Sequence, residues 1–308
     1  MTIRQFKAVA LKELSSSPSP ALDIDVLLCF SLNCTKTHLL LHYNEELPLE
    51  NLLWLEKAVE KRKTGLPVAY ITGHKEFYGY DFIVSPSVLI PKPDTEILTA
   101  RAIDVITDVI LKRPSSVLTV CDMCTGSGCI ALSVLKSLID EPAVPRELIP
   151  AFTLVDISAE ALSVARENAR HLIPDEYLER VRFIQSNLFE EVPFLFNVIL
   201  TNPPYVPAQM AAELLEDGRN EPLLALDGDA GADGEPASSC DGLSVIRRLL
   251  PECAGHLVYG GSLLMETGEY NAETAAGLAK ECGFKGVNIL RDLENQLRVV
   301  ECHYQSLH

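Results

Sequence analysis

The sequence predicts an α/β protein in which a mainly parallel, doubly wound sheet of seven strands follows a small bundle of helices. From residue 117 onward, short apolar runs alternate with longer segments of helical periodicity, which is the pattern of right-handed βαβ units. The first 66 residues carry apolar side chains at helical spacing. A glycine-rich turn, "CTGSGC", joins the first predicted strand of the sheet to its helix.

The N-terminal 66 residues predict four short helices, enough for a small bundle. Thr35 can cap the third helix, and Gly65 ends the fourth. The predicted helices span residues 3–14, 23–32, 35–41 and 49–63.

Residues 67–93 change in character, because they are rich in aromatic and β-branched residues, glycine and proline. They predict a hairpin linking two domains. We therefore expect a helical substrate-recognition domain over 1–66, a hairpin linker over 67–93 and the sheet domain over 94–308.

Within the sheet domain, Asp94 is expected to cap a helix that runs to residue 112. Further helices are predicted over 129–139, 159–171 and 272–282. The last two strands are joined too tightly for a helical crossover, so they should be antiparallel. A segment rich in Gly, Asp and Ser, 227–242, predicts a flexible surface loop. The seven strands are predicted at 117–121, 152–155, 181–184, 198–200, 262–265, 287–290 and 297–302.

Composition narrows the possible partners. The net charge is −17, with 26 basic against 43 acidic residues. This balance argues against a protein that binds nucleic acid and for a small-molecule or protein partner.

The absence of a long apolar run argues against membrane insertion. Nine scattered cysteines and an N-terminus without a signal-peptide core favour the cytosol. "CDMCTGSGC" begins with the spacing of a zinc knuckle but has no second ligand pair, so we expect no metal.

The glycine turn and two acids predict a nucleoside site. The turn alone also fits dinucleotide enzymes, methyltransferases and chance turns. Asp156 ends the second strand, where a carboxylate can accept hydrogen bonds from a ribose diol, although it could instead cap the next helix. Asp122 would repel the phosphates of a dinucleotide and attract the sulfonium and ammonium of S-adenosylmethionine. The alternative for Asp122 is a carboxylate that stabilises the turn.

The stretch "TNPPYVP" follows the fourth strand, at the same edge of the sheet as the glycine turn. Read alone, it fits a simple turn. An Asn before a rigid bend can also hold a planar amino group, with the Asn202 side-chain oxygen and the Pro203 carbonyl accepting its two N–H bonds. Such acceptors strengthen as positive charge develops on the nitrogen. Tyr205 can pack on the planar group.

From about Leu66 onward, the chain resembles the release-factor glutamine methyltransferases (the HemK/PrmC family). The resemblance rests on "PVAYITGHKEFYGYDFIVSPSVLIPKPDTE", "DMCTGSG", "VDIS", "TNPPYV", "EPLLALDG", "GGSLLMETG" and "LRVV". It implies a Rossmann-like class I methyltransferase domain, S-adenosylmethionine as donor and S-adenosylhomocysteine as product. The implied substrate is the glutamine side-chain amide in the Gly-Gly-Gln loop of peptide chain release factors, and we expect a cytosolic monomer.

The resemblance also assigns residues. The substrate amide would lie against Asn202, Pro203, Pro204 and Tyr205, which form the catalytic motif. The donor would lie against Asp156, Leu188, Asn202 and the turn residues Cys124, Thr125, Gly126, Ser127 and Gly128, with Asp122 added from its charge.

Four features depart from the family pattern. Cys124 replaces a glycine, Asn187 stands where aspartate is common, Lys92 replaces an arginine, and 229–240 resembles an insertion. Glu266, in "METG", fits either an orienting or a structural role.

Two other functions remain open at this stage. A nucleic-acid adenine methyltransferase uses the same Asn-Pro-Pro-Tyr motif but would need a basic track or a target-recognition domain. A nucleoside-binding protein without catalysis would not need Asn202 beside the two acids.

Overall fold

The computed structural model describes residues 1–112, 118–216, 220–230 and 240–305. Their contacts divide the chain into two compact units. The helical unit comprises Met1–His74 with Glu213–Asn220, and the sheet unit comprises Lys75–Ala212 with Glu221–His308. Within the described ranges, no helix has the length and apolar character needed to cross a bilayer.

The helical unit confirms the four predicted helices and adds a fifth. Thr2 and Gln5 form a reciprocal capping box at the first helix, and Thr35 caps the third as predicted. The fifth helix has only five residues, too few for a periodic signal, and ends at Gly73 with φ of 78°. The helices are α1 (Ile3–Glu13), α2 (Pro20–Ser31), α3 (Lys36–Leu41), α4 (Leu49–Lys63) and α5 (Val68–Thr72).

The sheet unit begins with a two-stranded hairpin and a 3₁₀ turn, and continues as alternating strands and helices. Its elements are β1 (His74–Phe77), β2 (Tyr80–Ile83), the turn Pro93–Thr95, α6 (Glu96–Lys112), β3 (Thr119–Met123), α7 (Cys129–Asp140), β4 (Ala151–Asp156), α8 (Ala159–Leu172), α9 (Asp175–Leu178), β5 (Val181–Gln185), β6 (Phe196–Thr201), α10 (Ala208–Leu215), α11 (Ser244–His256), β7 (Leu257–Glu266), α12 (Ala272–Glu281), β8 (Lys285–Arg291) and β9 (Leu297–His303).

The main sheet has seven strands in the order β5-β4-β3-β6-β7-β9-β8. The pairs among β3 to β7 are parallel, and β9 runs antiparallel to both of its neighbours. The antiparallel pairing of β8 with β9 confirms the prediction made from their tight connection. The chain winds outward from β3 to β5 and then returns to β6 on the other side of β3. A topological switch point therefore lies between β3 and β6, where doubly wound sheets bind ligands.

Helices cover both faces of this sheet. Val120, Leu154 and Leu200 lie in a core cluster with residues of α6, α7 and α8. The alternate strand residues, such as Cys121 and Ile199, lie in a second cluster with residues of α11 and α12. This alternation explains why the strands read as continuous apolar runs, since both faces are buried. The predicted fold class is confirmed.

The prediction missed α10 and α11 and was wrong about the ends of the segment 227–242. Asp229 is only 4% exposed and accepts hydrogen bonds from the backbone N–H groups of Ala208 and Gly242. Gly242 is also buried. These ends are packed segments rather than surface loop. Residues 231–239, the middle of the predicted insertion, lie outside the described residues.

Candidate active site

The two motifs singled out in the sequence meet at the carboxyl edge of the sheet. Met123, the last residue of β3, pairs in register with Thr201, the last residue of β6. The glycine turn therefore leaves β3 beside the point where Asn202 leaves β6. Parallel pairing produces this meeting, because it aligns the ends of neighbouring strands.

The glycine turn has a tightly determined backbone. Cys124, Gly126 and Gly128 have φ of 60°, 54° and 80°, all in the left-handed region. A Cβ on Gly128 would lie 3.0 Å from Leu132 Cδ1 and 3.3 Å from Leu154 Cδ2, so this position requires glycine on two grounds. The sharp reversal places the first turn of α7 directly behind the loop.

Asp122 lies beneath this turn and does not line the cavity described below. Its Oδ2 accepts hydrogen bonds from Thr125 Oγ1 (2.6 Å) and from the N–H of Ala131 (3.3 Å), in the first turn of α7. Gly128, the residue before this helix, has no side chain to cap it, so Asp122 supplies the cap from the strand. Burial, with a smaller effect of the Asp156 charge, raises the Asp122 pKa to about 7 despite these hydrogen bonds.

Asp156 links the second strand to the glycine turn. Its Oδ2 accepts from the N–H of Gly126 at 2.8 Å, and its Oδ1 accepts from the N–H of Ser158 at 3.0 Å. Ser158, rather than Asp156, caps α8 through the N–H of Ala161. Burial raises the Asp156 pKa, and the backbone hydrogen bonds oppose the rise. Each carboxylate oxygen retains a second lone pair for a ligand hydroxyl.

A cavity of about 320 Å³ opens at this edge of the sheet. Several residues predicted to touch the donor or substrate line it: Cys124, Thr125, Gly126, Ser127, Asp156, Leu188, Asn202 and Pro204. Four predicted site residues do not: Asp122, Gly128, Pro203 and Tyr205. In the part of the chain that the structure describes, no group of His, Cys, Asp and Glu side chains could hold a metal ion.

Asn202 and Tyr205 are each anchored from behind by a buried side chain. Asn202 Nδ2 donates to Thr95 Oγ1 at 3.4 Å, and the Tyr205 hydroxyl donates to Glu266 Oε1 at 3.1 Å. Thr95 and Glu266 are 2% and 1% exposed. Burial raises the Glu266 pKa to about 7, against hydrogen bonding from the Thr95 and Tyr205 hydroxyls and the charge of Arg298.

The backbone that follows Asn202 is held by its neighbours. The Tyr205 carbonyl accepts from Asn271 Nδ2 at 3.0 Å. The N–H of Val206 donates to the carbonyl of Leu226, and the N–H of Gly228 donates to the carbonyl of Val206, both at 2.9 Å. The motif "EPLLALDG" therefore supports the backbone of the Asn-Pro-Pro-Tyr loop.

Sequence reasoning missed other parts of the cavity wall. Arg248, from the unpredicted helix α11, lines the cavity and donates to Asn187 Oδ1 at 2.8 Å. Asn187 Nδ2 donates to Glu190 at 2.8 Å. The segment just before the 3₁₀ turn also lines the cavity. It belongs to "PVAYITGHKEFYGYDFIVSPSVLIPKPDTE", one of the motifs on which the family resemblance rests, and this was the one signal in the sequence for its role. It contributes Ser87, Val88, Leu89, Pro91 and Lys92.

Comparison with known proteins agrees with these features. Residues 7–73 match the family model of the PrmC N-terminal domain, and residues 93–220 match that of the methyltransferase small domain. A release factor glutamine methyltransferase from Moorella thermoacetica is 36% identical over 95% of each chain. The protein of the same name from Koribacter versatilis is 36% identical over 97% of this chain and 98% of its own.

One solved structure is a release-factor-specific protein-(glutamine-N5) methyltransferase from Alicyclobacillus acidocaldarius. It aligns at 29% identity over 73% of this chain and 100% of its own, with a TM-score of 0.37. The identity to the Moorella and Koribacter proteins extends over nearly the full length of all three chains. On that ground, the chain belongs to the family of release factor glutamine methyltransferases.

Proposed function

We propose that this chain transfers a methyl group from S-adenosylmethionine to the side-chain amide nitrogen of the glutamine in the Gly-Gly-Gln loop of peptide chain release factors. The observation that carries the proposal is the position of Asn202, which lines the same cavity as the glycine turn and Asp156. Its Nδ2 is engaged by Thr95, so its Oδ1 is the atom presented to a ligand.

The cavity suits S-adenosylmethionine, which supplies an electrophilic methyl carbon when bound. Gly126 faces open space, because an added Cβ would meet no atom within 4 Å. Asp156 offers carboxylate oxygens to a ribose diol beside this space. Leu188 adds an apolar wall, and its φ of 51° sets its backbone in the left-handed region.

The acceptor corner accounts for the choice of an amide. A primary amide nitrogen is a poor nucleophile, because its lone pair is delocalised into the carbonyl. Asn202 Oδ1 would accept from an N–H group of this amide and turn the lone pair toward the methyl carbon, whereas the Pro203 carbonyl, the second acceptor expected from the sequence, belongs to a residue that does not line the cavity. An acceptor at this position acts most strongly as the nitrogen becomes positive, so it favours the transition state over the ground state. The proton leaves after transfer, and no general base is needed before it.

The test is a labelling reaction with purified protein, a release factor and S-adenosylmethionine carrying a labelled methyl group. Asn202→Ala should keep donor binding and lose about 3 kcal/mol of transition-state stabilisation, roughly a hundredfold in kcat. Asn288→Ala is a matched control, since Asn288 lies exposed on β8. Near-normal turnover in Asn202→Ala would reject the acceptor role. Labelling that survives replacement of the Gly-Gly-Gln glutamine would reject the substrate.

We also propose that the helical domain, 1–66, recognises the release factor, and that the protein acts as a cytosolic monomer without stable nucleic-acid binding. Two observations support a recognition role. The region matches the PrmC N-terminal domain model over 7–73, and it exposes large apolar side chains such as Leu41 (78%) and Leu49 (71%). The net charge of −17 supports the absence of a nucleic-acid partner.

A further inference from the structure

One face of α11 carries three polar side chains that are spaced about one helical turn apart. Residues four positions apart lie on the same side of a helix, and Arg248, Glu252 and His256 have this spacing. Each of them contacts the segment 187–192, which lies between β5 and β6 and contains Leu188, part of the cavity wall. These three side chains are called the α11 ladder below.

The first two members of the ladder form hydrogen bonds on either side of Leu188. Arg248 Nη2 donates to Asn187 Oδ1 at 2.8 Å. Glu252 Oε2 accepts from the backbone N–H of Phe189 at 3.0 Å. The residues immediately before and after Leu188 are therefore both attached to α11.

His256 is the third member of the ladder. Its ring stacks on the Phe189 ring, with the two centroids 4.3 Å apart, and its Nε2 lies 3.1 Å from the carbonyl oxygen of Val192. Its Nδ1 lies 2.9 Å from the carbonyl oxygen of Glu252, which is inside α11, where a backbone N–H can satisfy it. A neutral ring with its one proton on Nε2 therefore leaves both carbonyl groups with a donor.

Leu188 needs such support because its backbone is strained. Its φ of 51° lies in the left-handed region, which is unfavourable for a residue that has a side chain. A strained backbone of this kind persists when neighbouring contacts hold it. Leu188 lines the cavity, whereas Glu252 and His256 do not, so these two side chains can act on a bound donor only through the segment that they hold.

Resting on the proposed function, we propose that Glu252 and His256 are positioning residues, which together with Arg248 hold the segment 187–192 in the shape that presents Leu188 to S-adenosylmethionine. The apparent affinity for a ligand falls with the fraction of protein in the binding conformation. The Asn-Pro-Pro-Tyr loop follows a different strand, so the ladder controls the affinity for the donor rather than the methyl-transfer step.

The first test measures the Kd of S-adenosylhomocysteine by calorimetry, which requires no turnover. Glu252→Ala should raise this Kd about fivefold, because loss of one hydrogen bond lowers the fraction of protein with the segment in place. Glu252→Gln keeps an acceptor oxygen for the Phe189 N–H, and its Kd should stay within about twofold of wild type. His256→Phe keeps a ring against Phe189 but removes Nε2, so its Kd should also rise about fivefold.

The same variants separate donor binding from catalysis. In the methylation of a release factor, the KM for S-adenosylmethionine should rise about fivefold in Glu252→Ala, with kcat changed less than about twofold. Glu294→Ala is the matched control, since Glu294 is exposed in the turn between β8 and β9, and it should change neither value. A large fall in kcat at saturating donor would overturn the proposed role.

The second test asks whether the effect passes through Leu188. Leu188→Ala removes the wall that the segment carries, so adding Glu252→Ala to this variant should change the Kd of S-adenosylhomocysteine less than about twofold. The same fivefold loss in both backgrounds would show that Glu252 acts by another route and would overturn the proposal.

The two proposals fail in different ways. A wild-type protein that binds neither S-adenosylmethionine nor S-adenosylhomocysteine would refute the donor site on which the proposed function depends. The positioning role alone would be refuted if the wild-type protein were active while Glu252→Ala and His256→Phe lost stability in urea but kept the wild-type Kd for S-adenosylhomocysteine.

Discussion

The free energy of unfolding of wild type should fall as the pH rises from about 4 to about 8, and replacing Asp122 with asparagine should remove about 4 kcal/mol of this fall. Burial first, and the nearby Asp156 charge second, raise the Asp122 pKa from 3.8 to about 7. The unfolded chain releases this proton near its ordinary pKa, whereas the folded chain keeps it up to about 7. The stabilisation is therefore complete below the ordinary value and is lost as the pH rises through 7. About three pH units at 1.36 kcal/mol each give the stated magnitude.

The assay compares urea unfolding of Asp122→Asn and wild type between about pH 4 and pH 8. Circular dichroism is the appropriate signal, because Trp54, the one tryptophan, lies in the helical unit and its fluorescence would report on that unit. The other buried acids are common to both proteins, and those that do not interact with Asp122, unlike Asp156, cancel in the difference. The variant should be less sensitive to rising pH, since asparagine can accept from Thr125 and Ala131 without ionising.

A control with the opposite sign tests the reasoning. Burial of Asp292 favours a higher pKa, but hydrogen bonds from Gln296 and Arg298 outweigh it, and the pKa is lowered. Its stabilisation is present above the unfolded pKa of 3.8 and is lost as the pH falls below that value. In a series extended below pH 3.8, the difference in unfolding free energy between Asp292→Asn and wild type should therefore become smaller toward acid. A stability difference between Asp122→Asn and wild type that stays constant across the range would refute the buried-acid argument. If folded Asp122→Asn bound S-adenosylmethionine tenfold more weakly than wild type, this result would support the contact between Asp122 and the donor that the sequence predicts.

Two further predictions concern the glycine turn. Gly128→Ala should destabilise the protein by about 3 kcal/mol in urea unfolding, since the new methyl group meets neighbouring side chains and the φ of 80° is unfavourable. Gly126→Ala, with a φ of 54° and no contact within 4 Å, should cost only about 1 kcal/mol, and equal losses would contradict the packing argument. Asn168→Ala should cost about 3 kcal/mol and weaken donor binding in a calorimetric titration. Asn168 is fully buried and joins the N–H and carbonyl of Ile83 to the carbonyl of Ser127, so unchanged donor affinity would show that this link does not shape the turn.

Local patterns predicted most of the fold. The bounds of α4 matched because a proline precedes the helix and Thr64-Gly65 follows it, and α7 begins directly after the second turn glycine. Helix α11 was missed because it contains Pro251, a residue that normally interrupts a helix. The ends of the segment 227–242 were misjudged because their burial depends on hydrogen bonds to residues elsewhere in the chain.

The sequence predicted the site residues that belong to a single motif after a strand. It predicted less well the residues whose surroundings form only when two distant segments pack together. The glycine turn, Asp156 and Asn202 each follow a strand, so topology alone brings them together. Thr95 and Glu266 acquire their environment only when β7 pairs beside β6. The sequence did contain an indication of the direction in which the Asp122 side chain points. This residue alternates with Cys121 and Met123, which face α11 and α12, so its side chain points beneath α7, on the opposite face.

The Asp229 carboxyl group forms hydrogen bonds with two separate segments of the chain. Its oxygens accept from the N–H groups of Ala208 and Gly242 and from the Ser244 hydroxyl. One side chain therefore ties the start of α10, which follows the Asn-Pro-Pro-Tyr loop, to the start of α11. Loss of this carboxyl group would release both helix starts at once.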